Sequence, residues 1–224
     1  ADFGPSFSLP EARLNFVLED FDFNYPPGLN SLSRASLTLT KSKSGWLLAG
    51  DLFIINASYL EDFYPSTQGL KMIFSRVSPA GSEMSPFLYE LALNINVRTI
   101  DNIVIKNNLA DLELKANLNI KGTVPTPVLS GRAENAYTGE IIIGERKYTV
   151  ERLRVDFLGQ ENLEPNLDIL LKSTVYDQQE ELEVSLVLAG TPSDLRFSLT
   201  SNPTRSTEDL ASLLLTGKSL KEVQ

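Results

Sequence analysis

The stretch DLELKANLNIKG, residues 111–122, decides the fold. Its even positions read Leu112, Leu114, Ala116, Leu118 and Ile120, and its odd positions read Asp111, Glu113, Lys115, Asn117, Asn119 and Lys121. Side chains on a strand alternate between faces, so this run has one dry face and one wet face. At ~3.3 Å per residue it would extend roughly 40 Å, long for a globular strand.

The same period recurs on both sides of it. Leu91, Leu93, Ile95 and Val97 alternate with Ala92, Asn94, Asn96 and Arg98. Leu153, Val155 and Phe157 alternate with Arg152, Arg154 and Asp156. Leu167, Ile169 and Leu171 follow, then Leu182, Val184, Leu186 and Leu188, then Leu195, Phe197 and Leu199 against Arg196, Ser198 and Thr200. Further candidate strands run over 14–18, 35–40, 45–55, 103–106, 128–136, 139–143 and 167–175. Turn residues punctuate them: Thr123-Val124-Pro125, Gly144-Glu145, Gly159-Gln160, Asp177-Gln178 and Gly190-Thr191-Pro192. This spacing predicts an all-β protein, a long antiparallel meander with one-sided sheets, and no βαβ units.

One helix is well signalled, over 206–217. Pro203 closes the last strand, and Ser206 is followed three residues on by Asp209, an arrangement that satisfies free N–H groups. Leu210, Leu213 and Leu214 then share a face, and Gly217 suits the C-terminal cap. That leucine face is expected to plug one end of the sheet. The first 87 residues are less regular and hold seven of the 12 prolines. Residues 56–87 read as an irregular excursion with a short helix around Tyr59–Tyr64. No composition break marks a second domain, so residues 1–205 read as one sheet segment and 206–217 as a short helix.

Composition narrows the function. The chain has 224 residues, 42% of them apolar, enough to bury a core. It has no cysteine and no histidine, which removes cysteine nucleophiles, disulfides, a Ser-His-Asp triad and zinc sites built on those residues. The net charge is −9 with Lys and Arg scattered, a poor match for nucleic acid, which needs a basic face. No apolar run reaches the ~18 residues of a membrane-spanning helix. Neither an initiator Met nor a signal sequence is present, so the chain is expected to be a fragment of a longer product.

Four constellations resemble functional motifs and fail on their spacing or setting. Asp20, Asp22 and Asn24 open like a calcium loop, but Tyr25 sits where that loop needs Gly and Ser31 where it needs Glu. A solvated turn before Pro26-Pro27-Gly28 is the plainer reading. Gly217-Lys218-Ser219 ends like a phosphate-binding loop, but position 212 is Ser and the context is helical. Glu180, Glu181 and Glu183 read as lying on a wet strand face with no evident cleft to raise a carboxylate pKa. Asn56-Ala57-Ser58 fits a glycosylation sequon, relevant only to a eukaryotic secreted protein. No catalytic residue, metal or cofactor is expected, and the protein reads as a non-enzyme.

The dry faces remain. They would ordinarily be the inside of a β-sandwich. Three features favour a ligand-lining surface instead: the strands are long, the faces are almost unbroken aliphatic, and Phe157 and Phe197 are the main aromatics on them. Such a surface can hold a flexible acyl chain, each buried methylene contributing ~0.8 kcal/mol without directional contacts. The residues that would line it are the apolar sets from Leu91 to Leu199 quoted above.

From Asn107 onward the punctuation becomes familiar. Asn107-Asn108-Leu109-Ala110-Asp111-Leu112 leads into the long strand, followed by Gly122-Thr123 and Pro127-Val128-Leu129-Ser130-Gly131. GEIIIG at 139–144, Tyr148, Val155-Asp156-Phe157 and Glu164-Pro165-Asn166-Leu167-Asp168 come next. Leu188-Ala189-Gly190, Leu199-Thr200-Ser201-Asn202-Pro203 and Leu213-Leu214-Leu215-Thr216-Gly217 end the series, and upstream Gly50-Asp51-Leu52 and Ala57-Ser58-Tyr59-Leu60-Glu61-Asp62 fit as well. This ordered set resembles the C-terminal region of the TamB family, the translocation and assembly module subunit.

The resemblance implies a β-taco, a long sheet folded into a half-pipe with an apolar interior. It implies a periplasmic bridge, anchored in the inner membrane and reaching the outer membrane, that moves phospholipid between them. It also implies an outer-membrane partner of the Omp85 barrel type. Family members continue with further strands beyond Gly217, so the part that pairs with the barrel is expected to lie past Gln224. The edges of such a half-pipe would extend the sheet into the rest of the protein. The alternative is a rigid β scaffold that aids outer-membrane protein insertion. A transmembrane barrel fits less well, since the aromatics form no girdle and the chain ends in a helix.

Overall fold

The computed structural model describes residues 11–22, 24, 28–62, 85–144, 146–160 and 163–216. Twelve strands form one continuous sheet: β1 (Ala12–Asp22), β2 (Leu29–Ser42), β3 (Gly45–Tyr59), β4 (Leu91–Thr99), β5 (Ile103–Lys106), β6 (Ala110–Thr123), β7 (Pro127–Asn135), β8 (Gly139–Ile143), β9 (Arg146–Leu158), β10 (Asn166–Asp177), β11 (Glu180–Thr191) and β12 (Asp194–Asn202). Two helices are described, α1 (Pro86–Glu90) and α2 (Thr207–Thr216). The all-β class and the C-terminal helix are as the sequence periods predict.

The strand order is β1-β2-β3-β4-β6-β7-β9-β10-β11-β12, with β5 between β3 and β6 and β8 between β6 and β9. The length of β6 explains this arrangement. β4 pairs with its C-terminal half, Val97 opposite Leu118, and β5 with its N-terminal half, Ile105 opposite Leu112. β7 and β8 divide its other edge in the same way. Two short strands laid end to end therefore match one long strand on each side.

The meander is not wholly antiparallel, which corrects the sequence-based expectation. β3 pairs in parallel with β4, Trp46 opposite Leu91, and with β5, Ala57 opposite Ile103. Parallel neighbours need a crossover of a dozen or more residues. The chain between Tyr59 and Leu91 supplies one, so the excursion sets the direction in which the sheet resumes. That excursion also begins later than expected. Asn56–Tyr59 belong to β3, paired to β2 and β5, so no helix starts at Tyr59. The short helix lies instead at Pro86–Glu90, with Pro86 at its first turn, where a missing N–H costs nothing. Residues 63–64 of the expected helix lie outside the described residues, as does Gly217.

The polar side carries cross-strand ion pairs. Arg132 donates to Asp156 at 2.6 Å, Arg152 grips Asp168 through two hydrogen bonds of 2.9 and 3.0 Å, and Lys172 lies 2.7 Å from Glu183. The hydrogen bond to Asp156 raises the Arg132 pKa, and the one to Glu183 raises that of Lys172. Asn119 joins the row by donating to Asn96 at 2.9 Å. These pairs are largely solvated, so each contributes little stability but favours one register.

Gly131 in β7 shows how tightly neighbouring strands approach. Its φ is +115°, and a Cβ there would sit 2.2 Å from the Asn117 carbonyl oxygen on β6. Gly131→Ala combines a left-handed backbone with a backbone clash that no rotamer relieves, and it is expected to cost about 2 kcal/mol or more. Urea unfolding checks this through a lowered midpoint.

Candidate functional site

Register decides which side chains share a face, because residues opposite one another point the same way. One row across the sheet reads Leu52, Val97, Leu118, Gly131 and Phe157. Another reads Gly50, Ile95, Ile120 and Leu129. Toward the C-terminus come Val155-Leu167-Gly190-Leu195, Leu153-Ile169-Leu188-Phe197 and Val150-Leu171-Leu186-Leu199. Leu91 and Leu93 lie opposite Trp46 and Leu48, Leu112 and Leu114 opposite Ile105 and Ile103, Ala116 opposite Ala133, Val175 opposite Leu182, and Val184 opposite Ser173 and Ser201. Every apolar residue singled out from the sequence, from Leu91 to Leu199, falls on one face of one sheet.

The face is wider than those residues. Leu14, Phe16 and Leu18 of β1 align with Leu39, Leu37 and Ala35 of β2, which align in turn with Leu48, Gly50 and Leu52 of β3. The period was readable there too, in strands whose apolar positions had been given no role. Tyr148, quoted from the sequence only as part of the family punctuation, and Val150 were given no place on the face. They reach the face because β9 shifts register against β10 between Leu170 and Leu171, which reverses the parity of the strand.

Burial divides the face into zones. Leu112, Tyr148, Val150, Leu153 and Leu171 form one packed cluster, and burial pushes the Tyr148 hydroxyl pKa up. Val175, Leu182 and Val184 form a second cluster with Leu210 and Leu213 of α2, and Leu182 and Val184 are 0% exposed. At the sheet edges the same face is open. Phe197 is 68% exposed and Leu195 43% on β12, and on β1 Leu14 is 52% exposed. Leu93, Ile95, Leu118, Ile120, Leu186 and Leu188 are half-buried between these extremes.

Two arginines hold α2 in place over the second cluster. Arg146 of β9 donates to the carbonyl oxygens of Leu213 and Leu214, at 3.1 and 3.3 Å, where helix carbonyls lack intrahelical partners. Arg205 donates to Glu180 and lies 3.2 Å from Asp177 and 3.7 Å from Asp209. The bond to Glu180 raises its pKa. The Ser206 hydroxyl accepts from the Asp209 N–H at 3.2 Å, the cap expected from the sequence.

Several members of the acidic constellations set aside from the sequence have ordinary partners, and Gly217-Lys218-Ser219 lies outside the described residues. Asp20 pairs with Arg34, the Asn24 side chain accepts from the Ser31 N–H, Glu180 binds Arg205 and Glu183 binds Lys172. Among the described residues, no group of three or more His, Cys, Asp or Glu side chains is placed to hold a metal ion. Two open hollows of about 400 and 420 Å³ lie on the polar side, sharing Lys115. Among the described residues, no helix is long and apolar enough to cross a membrane.

The family model of the TamB C-terminal domain matches residues 2–224. No curated protein matches the chain.

The burial zones make a mutational prediction. Leu182→Ala, under α2, is expected to cost about 2–5 kcal/mol. Phe197→Ala, on the same face at the open edge, is expected to cost less than about 1 kcal/mol. Thermal or urea unfolding of the two variants distinguishes them directly.

Proposed function

The chain belongs to the TamB family, a cell-envelope family of the translocation and assembly module, and from that premise we propose that it is a non-enzymatic lipid conduit of the periplasm. In this reading the sheet curls into a half-pipe, phospholipid acyl chains lie on its apolar face, and headgroups stay at the open seam. The observation that carries the reading is the common face: aliphatic positions on all twelve strands, in register, from edge to edge. Leu, Ile and Val offer an acyl chain the same contact from row to row. A chain sliding along them exchanges one set of methylene contacts for an equivalent one, at ~0.8 kcal/mol each, and never crosses water.

The polar side does not compete for this ligand. Its charges are engaged across strands, and the net charge of −9 disfavours anionic membrane surfaces as a landing site. Movement between inner and outer membranes, with an Omp85-type barrel at the far end, completes the proposal. A second reading, a rigid scaffold aiding outer-membrane protein insertion, draws on a specific observation. Among the described residues, nothing pairs with the outer edges of β1 and β12, which leaves two rows of backbone groups open to strand addition by the barrel or by the rest of the same polypeptide.

Mass spectrometry of lipids co-purifying with the protein separates the two. Wild type is expected to carry phospholipid in near-stoichiometric amount, and the Leu118→Asp, Leu186→Asp variant, folded by circular dichroism, is expected to lose it. Should that pair of charges unfold the sheet, Phe197→Asp at the open edge serves instead. A lipid-free wild type would overturn the conduit in favour of the scaffold.

A further inference from the structure

We propose that α2 is a lid over the C-terminal end of the apolar face, held shut by two arginine latches and able to leave without unfolding of the sheet. The proposal rests on reading that face as an acyl-chain surface and adds a gate to it. Leu210 and Leu213 occupy the place an acyl chain would take along the rows through Val175, Leu182 and Val184. One row further along, Leu186 and Leu199 are half-buried. Val150 and Leu171 in that row stay buried, so the face opens along β11 and β12, from Leu186 to the exposed Leu195 and Phe197.

The attachment of α2 suits a part that moves. A ten-residue helix is marginal alone in water, so its order depends on docking. Its apolar contacts to the two clusters come from Leu210, Leu213 and Leu214. Residues 203–206 lie outside regular structure between β12 and the helix. They are tied to the strand through the Ser201 hydroxyl, which donates to the Pro203 carbonyl and accepts from the Arg205 N–H, so a hinge there has to release those two bonds. The latches sit at opposite ends. Arg146 reaches from the sheet to the last carbonyls of the helix, and Arg205 ties the hinge to Asp177 and Glu180 of the β10–β11 hairpin. Both are polar contacts that water can replace, whereas the leucines need another apolar partner. An acyl chain arriving along the face supplies one, so ligand and lid compete for the same surface.

The chain has no cysteine, so a single introduced thiol reports opening. Val184→Cys lies on the sheet beneath α2, and Ala35→Cys on β2 is equally buried (1% exposed) but is not in the α2 cluster. Maleimide is expected to modify Val184→Cys at least tenfold faster than Ala35→Cys under native conditions. Adding Arg146→Ala is expected to speed the first by a further fivefold or more and leave the second unchanged. Backbone amides of α2 should exchange with deuterium faster than those of β10 and β11, independently of either thiol. Uptake of a pyrene-labelled phospholipid from vesicles should be faster in Arg146→Ala and reach a higher level at sub-saturating lipid.

Equal slow labelling of both thiols, with α2 exchanging only as fast as the strands, would make the helix a fixed plug and overturn the lid. Pyrene-lipid binding in that circumstance would leave the conduit reading standing. Fast labelling beneath α2 with no lipid uptake in any variant would defeat the conduit reading, and the gate with it.

Discussion

Strand geometry alternates side chains between two faces, and a register slip of one residue at any ladder would turn that strand's leucines into water and its charges onto the apolar side. The apolar face therefore depends on every ladder keeping its parity. Where a strand changes parity the change is matched: β2 and β3 shift between Leu32 and Ser33, and β9 and β10 between Leu170 and Leu171, and the apolar residues beyond each shift return to the same face. The exposed ion pairs matter in this context. Arg132–Asp156 and Arg152–Asp168 add little stability in water, but a slipped register would set like charges or charge against leucine, and that penalty is larger than the gain from any one pair.

A one-sided sheet must also deal with the area it leaves dry. A sandwich would press a second sheet against it. Here the twelve strands belong to one sheet, and α2 is the described helix that packs into the buried clusters. Leu171, Val175, Leu182 and Val184 are buried under or beside it, while Leu195 and Phe197 on the neighbouring β12 are open. A second buried stretch, with Ser33, Ala35 and Ala57, lies on β2 and β3 away from the helix. At the C-terminal end of the sheet, proximity to α2 separates packed leucines such as Leu182 from open ones such as Leu195.

Most of this architecture was legible in the sequence, because period two is a local property. The alternation in DLELKANLNIKG alone places its five apolar residues on one side, and all twelve strands carried the same signal or a turn that bounded it. What escaped was non-local. The parallel pairing of β3 with β4 and β5 depends on where the chain returns after residue 59, which no residue in either strand encodes. The parity change in β9 depends on its alignment with β10, so Tyr148 and Val150, among the most buried side chains, looked unremarkable beside Leu153. The leucine face of α2 was readable from Leu210, Leu213 and Leu214, but Arg146, which holds the far end of that helix, lies 67 residues away from Leu213. A lone arginine at the start of a strand gives no sign of that role.

The sheet ends in two edges, β1 and β12. A sheet that ends in solvent usually protects its final strand by shortness, by charge or by a bulge. β12 has nine residues, its one arginine pairs with Asp194 two positions back on the same strand, and Leu195 and Phe197 stay exposed on the apolar side. β1 does carry a register shift between Leu18 and Phe21 and charges at Arg13, Glu19, Asp20 and Asp22, yet Leu14, Phe16 and Leu18 stay exposed on the apolar side. In an isolated domain such edges invite aggregation. In a half-pipe that continues, the same features form a joint: the next strand completes the hydrogen bonds, and its apolar residues prolong the face without a step. In the proposed conduit, the exposed apolar residues of β1 and β12 would be the places where one segment passes its ligand to the next.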